Sequence, residues 1–306
     1  MQPDQKFQRG FTLVEMIVVI VITGIISGMV AMFIRTPVQG YMDSARRAEM
    51  TDIADTALRR IGRDIRTAVP NSVRLPTPAG STYIEFLPTK AGGRYRANPP
   101  GTGSCGVAGD ELSFTAADTC FEIIGSAITF TTGDQIVVGS TQSDGNPPYQ
   151  DPTAAACGIA ATSTCVRRPV PAAGAGVQQK VVMASAYAFP AFAELPGQRF
   201  DVVPGNQQAV TYSCEGVNIA GGEGTGTLKR YWGYGFIPNA ANAVPPAFTG
   251  QITAPVSAIL ADKIGSCSIV YDVVNQRNGL VAITLGITRG GETISLYQEI
   301  HVNNIP

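Results

Sequence analysis

The sequence predicts an α+β protein. A long N-terminal α-helix, transmembrane in its first half, packs on an antiparallel β-sheet head with disulfide-containing loop insertions. Three observations carry this expectation. One apolar run near the N-terminus has no rival along the chain. A three- and four-residue periodicity follows it. From Asn71 onward the periodicity changes to two.

The elements follow in order. Residues 1–10 read MQPDQKFQRG, a short leader that holds Lys6 and Arg9 and ends on Gly10. Residues 11–34 read FTLVEMIVVIVITGIISGMVAMFI, with Glu15 as the single charge. At about 1.5 Å per residue this helix is roughly 36 Å long, enough to cross a hydrocarbon core of about 30 Å. A secretory signal peptide fits poorly. Its apolar region is shorter, and its small-residue cleavage site follows that region. Here Arg35-Thr36-Pro37 follows, and the small residue Gly10 comes before. An ordinary signal anchor fits the run as well. Basic residues flank both ends, so charge does not orient the span. All six cysteines lie after it, which places the head outside the cytoplasm.

Residues 35–69 form an amphipathic helix that resumes after Pro37 and continues into the head. Val38, Tyr41, Met42, Ala45, Ala48, Ile53, Ala57, Leu58, Ile61, Ile65 and Ala68 share one face. Asp43, Arg46, Arg47, Asp52, Asp55, Arg59, Arg60, Arg63 and Asp64 share the other, with Asp43–Arg47 and Asp55–Arg59 as supporting pairs. That charged face reads as solvated. Pro70-Asn71 stops the helix.

Residues 70–306 form the head, with a Gly- and Pro-rich insertion at about 90–176. Its clearest part is a C-terminal meander: Cys267–Val274, Gly279–Thr288 and Ile294–Val302, with turns at Asn278-Gly279 and Gly290-Gly291. Weaker strands are expected at Tyr83–Leu87, Glu111–Thr115, Phe121–Ile124, Gln135–Val138, Lys180–Met183, Arg199–Val203, Ala209–Cys214 and Thr227–Tyr231.

Composition narrows the function. Charged residues make up only 15% of the 306, against about 25% in ordinary soluble proteins. Lys and Arg (22) nearly balance Asp and Glu (23), which argues against a nucleic-acid partner. The only histidine, His301, falls on the polar face of a strand. Gly101–Gly106 matches G-x-G-x-x-G but follows Asn-Pro-Pro rather than a strand, so it reads as a loop. Asp144, Asn146 and Asp151 could offer oxygens to calcium, without the EF-hand spacing. No nucleophile elbow, phosphate loop or histidine metal motif is present. The expectation is therefore a non-enzyme with no cofactor and no metal. Among the cysteines, locality favours Cys105–Cys120 and Cys157–Cys165, leaving Cys214–Cys267. Free buried thiols are the other reading.

The N-terminal residues carry a resemblance. Gly10-Phe11-Thr12-Leu13-Val14-Glu15, after a basic leader and before an apolar helix, resembles the prepilin cleavage and methylation motif of type IV pilins and type II secretion pseudopilins. The resemblance implies cleavage between Gly10 and Phe11 by a prepilin peptidase, then N-methylation of Phe11. It gives Glu15 a partner, the freed α-amine of Phe11 on a neighbouring subunit; the plainer reading is a carboxylate at the edge of the span. Gly24 and Gly28 form G-x-x-x-G, either a close-packing face or a soft spot in the helix.

Shorter segments, including Arg59–Arg66, Tyr212-Ser213-Cys214, Leu228–Tyr231 and Gln298–Pro306, resemble the minor pilins of the mannose-sensitive haemagglutinin pilus. The minor pseudopilins of type II secretion are similar but more distant. The resemblance implies other major and minor pilins and an inner-membrane assembly platform as partners. It also implies a single inner-membrane pass with a periplasmic head before assembly, and a place in the pilus at the cell surface afterwards. A membrane-anchored periplasmic enzyme or binding protein is the remaining alternative.

Overall fold

The computed structural model describes residues 10–75, 82–97, 109–141, 147–150, 165–251, 253–275 and 278–305. It divides into two compact units, Met1–Glu49 and Met50–Pro306. Helix α1 spans Leu13–Arg66, 54 residues, with Pro37 inside it. The break expected at Pro37 is not there. A proline removes one backbone hydrogen bond, and the long helical stretches on both sides hold the turn around it.

In the first unit, every side chain from Phe11 to Glu49 is exposed except the half-buried Arg46, which pairs with Asp43 at 2.7 Å. The expected partner of Asp43 was Arg47. The expected apolar face also begins later than the periodicity indicated, since Val38, Tyr41 and Met42 are all exposed.

In the second unit, the helix buries Met50, Ala54, Ala57, Leu58, Ile61, Gly62 and Ile65, a stripe at three- and four-residue spacing. Asp55 and Arg59 pair as expected, at 2.6 Å. A side chain at Gly62 would meet Gln298 at 3.3 Å and Ile300 at 3.6 Å, so the missing Cβ lets the helix approach the sheet. The helix ends at Arg66, three residues earlier than expected. Thr67 and Ala68 donate short-turn bonds to the Asp64 and Ile65 carbonyls, and Asn71 takes a φ of 58°.

The strands run β1 Tyr83–Phe86, β2 Ala91–Tyr95, β3 Asp118–Ile124, β4 Ile128–Phe130 and β5 Gln135–Val138. They continue with β6 Arg167–Pro169, β7 Gly176–Gln178, β8 Lys180–Tyr187, β9 Arg199–Val203, β10 Val210–Glu215, β11 Ile219–Ala220 and β12 Glu223–Gly224. The last four are β13 Gly226–Trp232, β14 Val256–Asn275, β15 Asn278–Arg289 and β16 Glu292–Asn303. The first sheet has the order β1-β10-β13-β14-β15-β16 and the second β6-β5-β9-β2-β3-β8. All pairings are antiparallel. Because β1 pairs directly with β10, the chain between them is an insertion that builds the second sheet. That sheet extends past residue 176 to Val203, because β8 and β9 belong to it. Gly and Pro marked the loops of this region and not its strands.

The meander pairs as expected. Val281, Ile283, Leu285 and Ile287 are buried against the helix stripe, together with Ile300 and Val302. Gly290 and Gly291, both at positive φ, make its second turn. The first turn differs. Asn275 pairs with Asn278, so Asn278-Gly279 opens β15 instead of forming the turn. Gly279 is needed there because a Cβ would lie 2.6 Å from the Tyr271 ring. The strand expected at Glu111–Thr115 is a bend, since the Ser113 hydroxyl accepts from the Ala116 amide and the Asp118 carboxylate from the Ser113 amide. His301 is exposed.

The second sheet has its own core, in which Phe121 meets Phe200 and Tyr187 meets Phe189 edge-on. A third cluster, with Leu87, Val137, Val203, Tyr231 and Tyr234, joins the two sheets. Beside it lies a buried ion pair, Arg74–Glu85 at 2.6 Å. Tyr234 donates to Glu85 at 2.8 Å, and Arg74 donates to the Ile237 carbonyl and covers the Tyr149 ring. Burial pushes the Glu85 carboxyl up, opposed by the Arg74 charge. Every member has a partner, as buried charge requires.

Candidate processing and assembly site

The N-terminal motif lies in the first unit. Gly10 and Phe11 precede the helix in non-helical conformation, and both are exposed. Thr12 caps the helix: its Oγ1 accepts from the Glu15 amide at 3.3 Å, and its carbonyl from the Met16 amide at 3.2 Å. Thr12-x-x-Glu15 therefore has the spacing of a capping box, and Glu15 sits in the first turn, where the helix dipole favours a carboxylate. The sequence reading gave Thr12 no role, although the S/T-x-x-E pattern signals one.

Gly24 and Gly28 share a face four residues apart, with nothing within 4 Å of an added Cβ at either. Thr23, beside them, turns its hydroxyl back to the Val19 carbonyl at 2.6 Å. The segment thus satisfies its own polar groups and leaves an apolar surface open. By length and composition the helix can cross a membrane.

Residues 5–31 match the family described as the prokaryotic N-terminal methylation motif. The chain carries a prepilin-type N-terminus. No curated protein and no solved structure matches the chain. The match supports a type IV pilin-like or pseudopilin protein, a kind processed by prepilin peptidase and assembled with other pilins.

The remaining sequence candidates lie in the second unit. Cys214 and Cys267 form a disulfide with a Cα–Cα distance of 6.4 Å, joining β10 to β14 across β13. Cys120 and Cys165 are also disulfide-bonded; the partners expected for them, Cys105 and Cys157, lie outside the described residues. So do Gly101–Gly106, Asp144, Asn146 and Asp151. Asp110, Asp118 and Cys120 lie close together, but the Cys120 sulfur is committed to its disulfide. One charged residue proves less solvated than its helix face indicated. Asp64 accepts from Tyr212 at 2.6 Å and from Arg230 at 3.3 Å, tying the helix to β10 and β13.

Proposed function

We propose that this protein is a minor pilin of the mannose-sensitive haemagglutinin type, a structural subunit and not an enzyme. The prepilin peptidase cuts between Gly10 and Phe11, and the new Phe11 amine is methylated. The first half of α1 anchors the subunit in the inner membrane, with the head in the periplasm, and then packs among the helices of other pilins on the assembly platform. One observation carries this reading: the methylation motif opens a helix stretch whose apolar side chains are all exposed among the described residues.

Glu15 then pairs with the freed amine of a neighbouring subunit, and Gly24 and Gly28 let a neighbouring helix come close. The head supports a low-copy place at or near the tip, to start assembly. It holds two six-stranded sheets, the second an insertion, and so much mass repeated at every step would crowd the filament surface.

Quantitative mass spectrometry of sheared pili tests this proposal. The expected result is a trace of this chain relative to the main subunit, with pili lost on deletion of its gene. Copy numbers near those of the main subunit would overturn the tip assignment. Normal pili without it, alongside a failure of type II secretion, would make it a pseudopilin.

A further inference from the structure

A cleft of about 810 Å³ opens in the second unit on the solvent face of the second sheet, beside the end of the helix. Strands β2 and β9 form its floor. Their register sets Arg94 directly opposite Arg199, and Gly92 directly opposite Asp201. On β9, Phe200 and Val202 turn into the core, so Arg199 and Asp201 share the outer face. Arg66, from the last turn of the helix, lines the same cleft.

This arrangement is costly for an isolated head. Like charges directly opposite on neighbouring strands repel. Asp201, two residues along the same face, offsets the Arg199 charge only in part, and Arg66, Arg94 and Arg199 make no ion pair among the described residues. The fourth cation of the cleft, Lys90, is already neutralised by Asp134. Asp201 is desolvated, with its carboxyl raised to about 6. A pocket with converging polar groups and a perturbed carboxyl has the form of a binding site.

We propose that the cleft binds an acidic saccharide, with a uronate-type carboxylate held between Arg94 and Arg199. Each guanidinium presents a planar fork of donors that matches a carboxylate. Gly92 has no side chain opposite Asp201, so the half-buried Asp201 carboxyl keeps an edge to the cleft, where it can meet a sugar hydroxyl. Thr67, Ser126 and Asn303 add polar groups at the walls, and the exposed Ile124 and Ile305 offer apolar surface to the ring faces. The cleft is open at the top, so a chain can continue beyond the bound unit. This inference goes beyond the pilin reading and does not depend on it.

The test uses the full chain in detergent micelles and measures binding of an oligogalacturonate and of a neutral oligosaccharide of equal length by calorimetry. Arg94→Ala/Arg199→Ala removes the fork at two exposed positions, and Arg60→Ala, exposed on the helix and outside the cleft, controls for charge. The expected result is binding of the acidic chain alone, weakened at least tenfold in the double variant and less than twofold by Arg60→Ala. Failure of the wild type to bind, equal binding of the neutral chain, or undiminished binding by the double variant would each overturn the proposal. Equal weakening by Arg60→Ala would overturn it too, showing attraction to net charge and not to the fork.

Discussion

The two halves of α1 are built to different rules. From Leu13 to Glu49 the helix is apolar on all sides at first, then mixed, and buries nothing. From Met50 to Arg66 it confines its apolar residues to one stripe and buries all but the half-buried Ile53, with Ile61 and Ile65 at 0% exposure. The second half thus carries the code for its partner within the same chain, in the matching alternation of β15 and β16. The first half carries no such code. An apolar helix left exposed, as this one is among the described residues, needs a solvent other than water or a partner from another molecule. A membrane and then a bundle of pilin helices would supply both in turn.

The largest effect should come from the buried half. Ile61→Ala removes side-chain volume from the sealed core and should cost about 2–5 kcal/mol in denaturant unfolding of the head. Ile25→Ala, in the open half, should leave that unfolding unchanged. An equal loss from both would erase the contrast.

The disulfide should come next. Cys214 and Cys267 are separated by 53 residues, and in the chain-entropy model a bridge of that span contributes about 4 kcal/mol. Cys214→Ala/Cys267→Ala should lower the head's melting temperature and leave the membrane anchoring of the first half untouched.

Glu15→Val should reverse that pattern. Head stability and membrane insertion should stay as they are, while recovery of other pilins in a pull-down falls several-fold. Recovery equal to wild type would leave Glu15 as a capping residue and nothing more. Gly28→Leu should act in the same direction with smaller effect, since among the described residues nothing lies within 4 Å of an added Cβ.

The last effect belongs to Asp201, and its sign depends on pH. Its carboxyl rises from 3.8 to about 6 on folding, chiefly by desolvation. A raised carboxyl favours folding while protonated and opposes it once ionised, so stability is lost as pH climbs through about 6. Asp201→Asn should therefore raise the melting temperature at pH 7.5 and change little near pH 3.5. The same gain at both pH values would contradict the shift.

Much of this was legible in the sequence because it is written locally. The apolar run, the strands at Gln135–Val138 and Arg199–Val203, the alternation of β15 and the Gly290-Gly291 turn each declare themselves within a dozen residues. What was illegible depends on register between distant segments. Asp64 sits among surface charges, and only the approach of β10 and β13 gives it Tyr212 and Arg230. Arg94 and Arg199 become neighbours only through the pairing of β2 with β9. The insertion read as long loops and a small subdomain, and not as a six-stranded sheet, because its glycines and prolines punctuate short strands whose core is aromatic and assembled from many of them. The N-terminal motif was fully legible, since it is defined by residues in sequence and needs no register with a distant segment.

The central claim is that the first half of α1 is a prepilin segment, cut and modified before it finds its partners. Mass spectrometry of the N-terminus, on protein purified from cells with an active prepilin peptidase, tests this most directly. The account predicts a chain beginning at N-methylated Phe11. A chain that still carries residues 1–10 under those conditions would contradict it.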